Sequence, residues 1–232
     1  MPLYQLHKDH VGFPPITEVL KDPAGLLAVG GDLSVERLLN AYSSGIFPWY
    51  SDGEPILWWA PMPRMVLAPS QIHVSRSMAK LIRQETYQIT FDHAFERVIQ
   101  QCADTPRAGQ TDEDATWILP EMQDAYTQLY HAGYAHSIEI WDQSTLVGGL
   151  YGIAIGKMFF GESMFSHRSN VSKLAFIALA RLLEQWQFEL IDCQLPTEHL
   201  SSLGAKPIEI AEFQQFLCNN NEQGLGSNWD SI

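Results

Sequence analysis

"AHSIEIWDQSTLVGGLYGIAIGKMFFGESMFS", residues 135–166, holds three runs rich in apolar, β-branched and aromatic residues, separated by the turn sequences "QSTL" and "GK". Such runs joined by short connections predict an antiparallel meander of three strands. The next stretch, "NVSKLAFIALARLLEQW" (170–186), has a nearly all-apolar helical pattern and is expected to lie buried against that meander. A further strand, "ELIDCQ" (189–194), follows. "EFQQFLC" (212–218) predicts a last short helix before the polar tail "NNNEQGLGSNWDSI".

Upstream, "HAFERVIQQCAD" (93–104) and "ILPEMQDAYTQLYHAG" (118–133) carry helical periodicity, with Gly133 as a stop for the second. The loop between them, "TPRAGQTDEDATW" (105–117), is acidic but lacks calcium-loop spacing and reads as solvated. Residues 1–63 differ in kind. They are dense in Gly, Pro and aromatics, which excludes mainly long helices. One helix is expected from an N-cap at Ser34 to a stop at Gly45, with "GGD" (30–32) as the turn before it rather than a nucleotide loop. The expected class is α+β: a small Gly/Pro/aromatic-rich N-terminal domain, residues 1–63, then a domain with a mixed sheet, residues 64–232.

Composition narrows the function. At 232 residues, 46% hydrophobic and 18% charged, the chain is globular. No apolar stretch approaches membrane-spanning length and the start lacks a signal-peptide pattern, so a cytoplasmic protein without a membrane partner is expected. Three cysteines without CxxC spacing, and histidines without HExxH spacing, suggest neither a disulfide framework nor a metal site. A net charge of −13 argues against nonspecific polyanion binding. One local exception exists: Arg76, Lys80 and Arg83 in "HVSRSMAKLIRQ" (73–84) form one basic stripe on a helix, with Met78, Leu81 and Ile82 on the buried side. The stripe is either an ordinary solvated face or a phosphate contact.

The strand "LIDCQ" poses a chemical question. Asp192 and Gln194 are two apart, so on a regular strand they share a face, and a carboxylate in an apolar strand needs partners. It is either a hydrogen-bonded structural aspartate or part of a site.

The element order resembles the GCN5-related acyltransferase fold. In that fold a glycine-rich loop after the central strand cradles coenzyme A, whereas here the loop is "SHRSNVSK" (166–173), without glycine. No cofactor is therefore expected. The motifs "GLLAVGGDLSVERLLNAYSSGIFPWY", "PILWWAPMPR", "HSIEIW", "LVGGLYG", "FGESMFS", "NVSK" and "LIDCQ" with "SLGA" together resemble the leucyl/phenylalanyl-tRNA–protein transferases, in register over nearly the whole chain. The resemblance implies an enzyme that moves Leu or Phe, and less well Met, from aminoacyl-tRNA to proteins or peptides with N-terminal Arg or Lys. A monomer is expected. The product carries an N-terminal degradation signal.

An aminoacyl ester is already activated, so such an enzyme chiefly aligns two substrates and manages one proton. Gln194 would accept a hydrogen bond from the attacking amine, and Asp192 would accept from the Gln194 amide and fix it. By resemblance Glu162 is the third catalytic residue, on a strand face shared with Met164 and Ser166. The resemblance also implies that Trp49 and Trp117 hold the terminal adenosine and aminoacyl group. Trp58 and Trp59 are expected in the core. Leu150, Leu179 and Ile191 are candidates for the apolar pocket that takes the Leu or Phe side chain. In this context Arg76, Lys80 and Arg83 become the contact for the tRNA acceptor stem. Two alternatives stand beside this reading: a coenzyme A-dependent N-acyltransferase of the same fold, and a non-catalytic module that binds tRNA or protein N-termini.

Overall fold

The computed structural model describes residues 3–106, 116–222 and 229. Most of the acidic loop expected at 105–117 falls outside the described residues. Strands β1 (Tyr4–Leu6), β2 (Leu26–Gly30), β3 (Phe47–Pro48) and β4 (Leu57–Trp59) form a small sheet in the order β1-β2-β4-β3. Helix α1 (Val35–Ser43) has the expected Ser34 cap, whose hydroxyl accepts from the Arg37 N–H.

The second sheet is larger. It contains β5 (Arg64–Leu67), β6 (Gln88–Phe91), β7 (Ala135–Asp142), β8 (Thr145–Ile155), β9 (Met158–Ser166), β10 (Leu190–Gln194) and β11 (Lys206–Ile208), ordered β11-β5-β10-β9-β8-β7-β6. The meander β7-β8-β9 lies where the sequence predicts it. The β9–β10 pair is parallel and the others antiparallel, which makes the sheet mixed. Strands β5, β6 and β11 were not anticipated. They are three or four residues long and pair with segments far away in sequence, so no local pattern announces them.

Helices cover both faces. They are α2 (Arg76–Arg83), α3 (Phe95–Asp104), α4 (Pro120–His131), α5 (Val171–Gln185), α6 (Glu198–Ser202) and α7 (Ile210–Glu222). Neighbours in sequence go to opposite faces: Leu150, Phe159 and Ile191 join the apolar cluster of α5, while Tyr151, Phe160 and Leu190 join the one that contains Tyr42, Trp58, Tyr126 and Phe213. The second of these clusters unites the large sheet with the small one. Gly148 lets α5 approach, since a Cβ there would stand 2.6 Å from a methyl of Val171.

Helix α7 runs further into the polar tail than its apolar pattern suggests. The reason is Asn220, buried to 1%, which donates to Ile155 O at 2.9 Å and accepts from Lys157 N at 2.7 Å, closing the β8–β9 turn. Trp229 is also buried, and its ring stacks on His136 at 4.1 Å. Among the described residues no helix is long and apolar enough to cross a membrane.

Candidate active site

Asp192 is completely buried on β10. Arg64, at the start of the adjacent β5, makes this tolerable: its Nε and Nη2 donate to the two carboxylate oxygens at 2.8 and 2.7 Å. Arg64 is itself buried, with its guanidinium 5.0 Å from the Phe47 ring and 4.9 Å from the Phe213 ring. An isolated carboxylate here would be strongly disfavoured; the paired one is not.

The strand does not continue regularly past Asp192. Cys193 is an extra residue with no counterpart on β5, and Gln194 has a φ of 61°, in the left-handed region that few non-glycine residues occupy. Asp192 Oδ1 holds this kink by accepting the Gln194 backbone N–H at 2.9 Å. This corrects the expected contact. Asp192 receives the main-chain N–H of Gln194, while the side-chain amide of Gln194 donates from Nε2 to Glu162 Oε1 at 2.8 Å.

Glu162 is re-aimed by a bulge as well. Tyr151 pairs with Ser163 and Gly152 with Gly161, which leaves Glu162 as the extra residue on β9. The strict alternation expected for Glu162, Met164 and Ser166 is thus broken: Met164 packs with the α5 cluster, whereas Glu162 meets Tyr126, a member of the opposite cluster. A Cβ on Gly152 would sit 2.3 Å from Phe160 O, so glycine permits the close approach at the bulge.

Two tyrosines complete the chain of hydrogen bonds. The Tyr126 hydroxyl donates to Glu162 Oε2 at 2.9 Å, which leaves Tyr126 oxygen to accept the short hydrogen bond from Tyr42. Burial raises the Glu162 carboxyl to a pKa of about 7, despite the opposing effect of the nearby Tyr42 and Tyr126 hydroxyls and the Gln194 amide; the Asp192 charge adds to the rise. Burial first, and then the Glu162 charge, push the Tyr42 and Tyr126 hydroxyls well above their ordinary range. They therefore stay protonated as donors. Because the Gln194 NH2 group is committed to Glu162, its carbonyl oxygen is presented as an acceptor.

The other predicted residues are distributed around this centre. Trp49 is 42% exposed, with its ring 5.6 Å from that of Trp59, whose Nε1 donates to Trp49 O. The segment that carries Trp49 is anchored on both sides, by Phe47 over Arg64 and by Tyr50, which donates to Glu121 on α4 at 2.9 Å. Trp117 is half-buried beside the same cluster as Tyr126. Trp58 is buried, as expected, and Trp59 half-buried. Leu150, Leu179 and Ile191 come together, all at 2% exposure or less, in the α5 cluster. They lie across the sheet from Tyr126 and its neighbours. Arg76, Lys80 and Arg83 are exposed along α2 while Met78 is buried, and among the described residues none of the three pairs with a carboxylate.

Arg64, Tyr42 and Tyr126 escaped the sequence reading. Arg64 stands inside "PILWWAPMPR", yet nothing local says that its partner is 128 residues away. The tyrosines fit the apolar sides of two helices and read as core; the one available signal was that a buried hydroxyl needs a partner. Among the described residues no group of three or more His, Cys, Asp or Glu is arranged to hold a metal ion.

Comparison with known proteins matches residues 66–218 to the family described as leucyl/phenylalanyl-tRNA protein transferase, and residues 31–62 to the N-terminal domain of that family. The leucyl/phenylalanyl-tRNA–protein transferase of Azotobacter vinelandii is 54% identical over 97% of both chains. That of Pseudomonas fluorescens Pf-5 is 56% identical over 97% of this chain and 98% of its own. Among solved structures, a Bacillus licheniformis protein titled L-PGS aligns at 10% identity and a TM-score of 0.43, over 83% of this chain and 64% of its own. A GCN5-related N-acetyltransferase from Kribbella flavida aligns at 11% identity and a TM-score of 0.38, over 72% and 58% of the two chains.

Proposed function

Since the chain belongs to the leucyl/phenylalanyl-tRNA–protein transferase family, a family of aminoacyl-transferring enzymes, we propose that it moves Leu or Phe, and less well Met, from tRNA to the α-amino group of proteins that begin with Arg or Lys. The added residue would then serve as a degradation signal in the cytoplasm, and the enzyme would act as a monomer.

The observation that carries this reading is the Gln194–Glu162 hydrogen bond, which uses the Gln194 NH2 group and leaves its carbonyl oxygen to act as an acceptor. An incoming amine donates one N–H to that oxygen and directs its lone pair at the ester carbonyl. The new C–N bond forms, the ester C–O bond breaks, and the ribose hydroxyl leaves with a proton. An α-amino group titrates near ~7.7 to 8, so a base with a pKa of about 7 is well matched to take its proton. Glu162 fills that role, with Tyr126 and Tyr42 steadying its charge.

The pairing of β9 with β10 stops at Phe160 and Asp192, just before Glu162 and Gln194. The Leu or Phe side chain would be received by the apolar cluster of Leu150, Leu179 and Ile191 on the far face. Trp49 and Trp117 provide stacking surfaces for the terminal adenosine, and Arg76, Lys80 and Arg83 take the acceptor-stem phosphates. In this scheme residues 1–63 contribute Tyr42 and Trp49, and residues 64–232 contribute the carboxylates.

The test offers purified protein tRNA charged with Leu, Phe or Met, together with peptides that begin with Arg, Lys, Glu or Ala. Mass gain of one residue on the Arg and Lys peptides alone is expected. No gain with any pair, or gain only from an acyl-coenzyme A, overturns the reading.

A further inference from the structure

We propose that Arg64 is a positioning residue for the transfer: by gripping Asp192 at two points it fixes the backbone of Gln194 and so the aim of the Gln194 amide. The proposal rests on the reading that Gln194 and Glu162 meet the substrates. Arg64 itself is buried and acts through Asp192.

Three observations support it. The Arg64 fork makes two bonds to one carboxylate, at 2.8 and 2.7 Å, which removes rotation about the Asp192 side chain. The oxygen so fixed, Oδ1, is the one that accepts the Gln194 N–H at 2.9 Å, at a residue whose φ of 61° is unfavourable for a side-chain-bearing residue. Without a fixed acceptor the backbone would relax toward extended geometry and swing the amide away from Glu162.

The grip is in turn set from both ends of the chain. Phe47, from the small sheet, and Phe213, on α7, flank the guanidinium. A Cβ on Gly45 would stand 2.7 Å from the Phe213 ring, so α7 rests directly on the backbone after α1. Arg64 Nη1 meanwhile is buried without a hydrogen-bond partner among the described residues. Apolar side chains in place of both Arg64 and Asp192 would avoid that loss and the desolvation of two charges. The ion pair is thus a poor device for stability and a good one for direction, because only the fork fixes the carboxylate plane.

The experiment compares wild type with Arg64→Lys, which keeps the charge and loses the fork. Single-turnover transfer is measured at saturating charged tRNA and Arg-peptide, per folded molecule, alongside the backbone and side-chain N–H resonances of Gln194 in protein labelled with 15N-glutamine. Expected are a rate about tenfold to a hundredfold lower, KM values within about twofold for both substrates, and displaced Gln194 resonances. A merely structural arginine would lower the melting temperature and leave the rate per folded molecule and those resonances in place. An unchanged rate, or unmoved resonances, overturns the proposal. If Arg64→Lys does not fold, Phe213→Leu, which removes one wall of the clamp, is judged by the same two readings. Should wild type transfer nothing, the functional reading fails, and the resonances still decide whether Arg64 orients Gln194.

Discussion

Gln194 and Glu162 meet at 2.8 Å across the point where β9 and β10 stop pairing, and each stands at a bulge in its own strand. Neither side chain's direction follows from strand periodicity. The extra residues, Cys193 and Glu162 itself, break the alternation and turn the two polar groups toward one another.

Gln194→Ala removes the proposed acceptor and leaves Glu162 in place. Transfer at saturating substrates should fall about a hundredfold with little loss of stability, since Gln194 is only partly buried. Asp192→Ala should behave otherwise: it leaves the buried Arg64 unpaired and should cost about 3–5 kcal/mol as well as activity. Urea denaturation beside single-turnover assays separates the two, and an equal stability loss for both variants would contradict the assignment.

The raised carboxyl of Glu162 gives a pH signature. In the proposed mechanism its ionised form accepts from Gln194 and takes the amine proton, so the single-turnover rate should climb as pH rises through about 7. Glu162→Gln should abolish that limb and leave only the titration of the substrate amine. Stability should run the other way. Between the ordinary carboxyl value of 4.5 and about 7 the folded protein holds a proton that the unfolded chain has released, so stability declines as pH rises through that window, by at most about 3 kcal/mol. The Gln variant should lack this decline in urea melts at pH 5 and 8.

Exposure separates two tryptophans. Trp49→Ala should raise the KM for charged tRNA while the melting temperature holds, because its ring is 42% exposed. Trp58→Ala should instead cost about 3–5 kcal/mol, because that ring is fully buried and its Nε1 donates to Gly30 O at 2.8 Å.

The basic stripe on α2 predicts a salt effect. Changing Arg76, Lys80 and Arg83 together to Ala should weaken tRNA binding and flatten its dependence on salt, by about 0.7–0.9 in log–log slope for each phosphate that is no longer neutralised. Filter binding at several salt concentrations measures it; a slope identical to wild type would remove the stripe from the interface.

Much of the fold was legible because it is written in local patterns. The β7-β8-β9 meander, the buried helix α5, the Ser34 cap and the exposed face of α2 all follow from periodicity, turn residues and capping within a few positions of each other. The short strands β5, β6 and β11 were not legible, since each owes its existence to a distant pairing partner.

The site divides along the same line. Sequence alone singled out Asp192 and Gln194 as candidates, because polar residues in an apolar strand require an explanation, and the resemblance to one family added Glu162. Tertiary structure alone decided who bonds to whom: Arg64 takes Asp192, Asp192 takes the Gln194 backbone, and Glu162 takes the Gln194 amide. The physical reason is that bulges, a left-handed backbone at Gln194 and an arginine 128 positions away are settled by the energy of long-range packing and ion pairing, about which local periodicity carries no information.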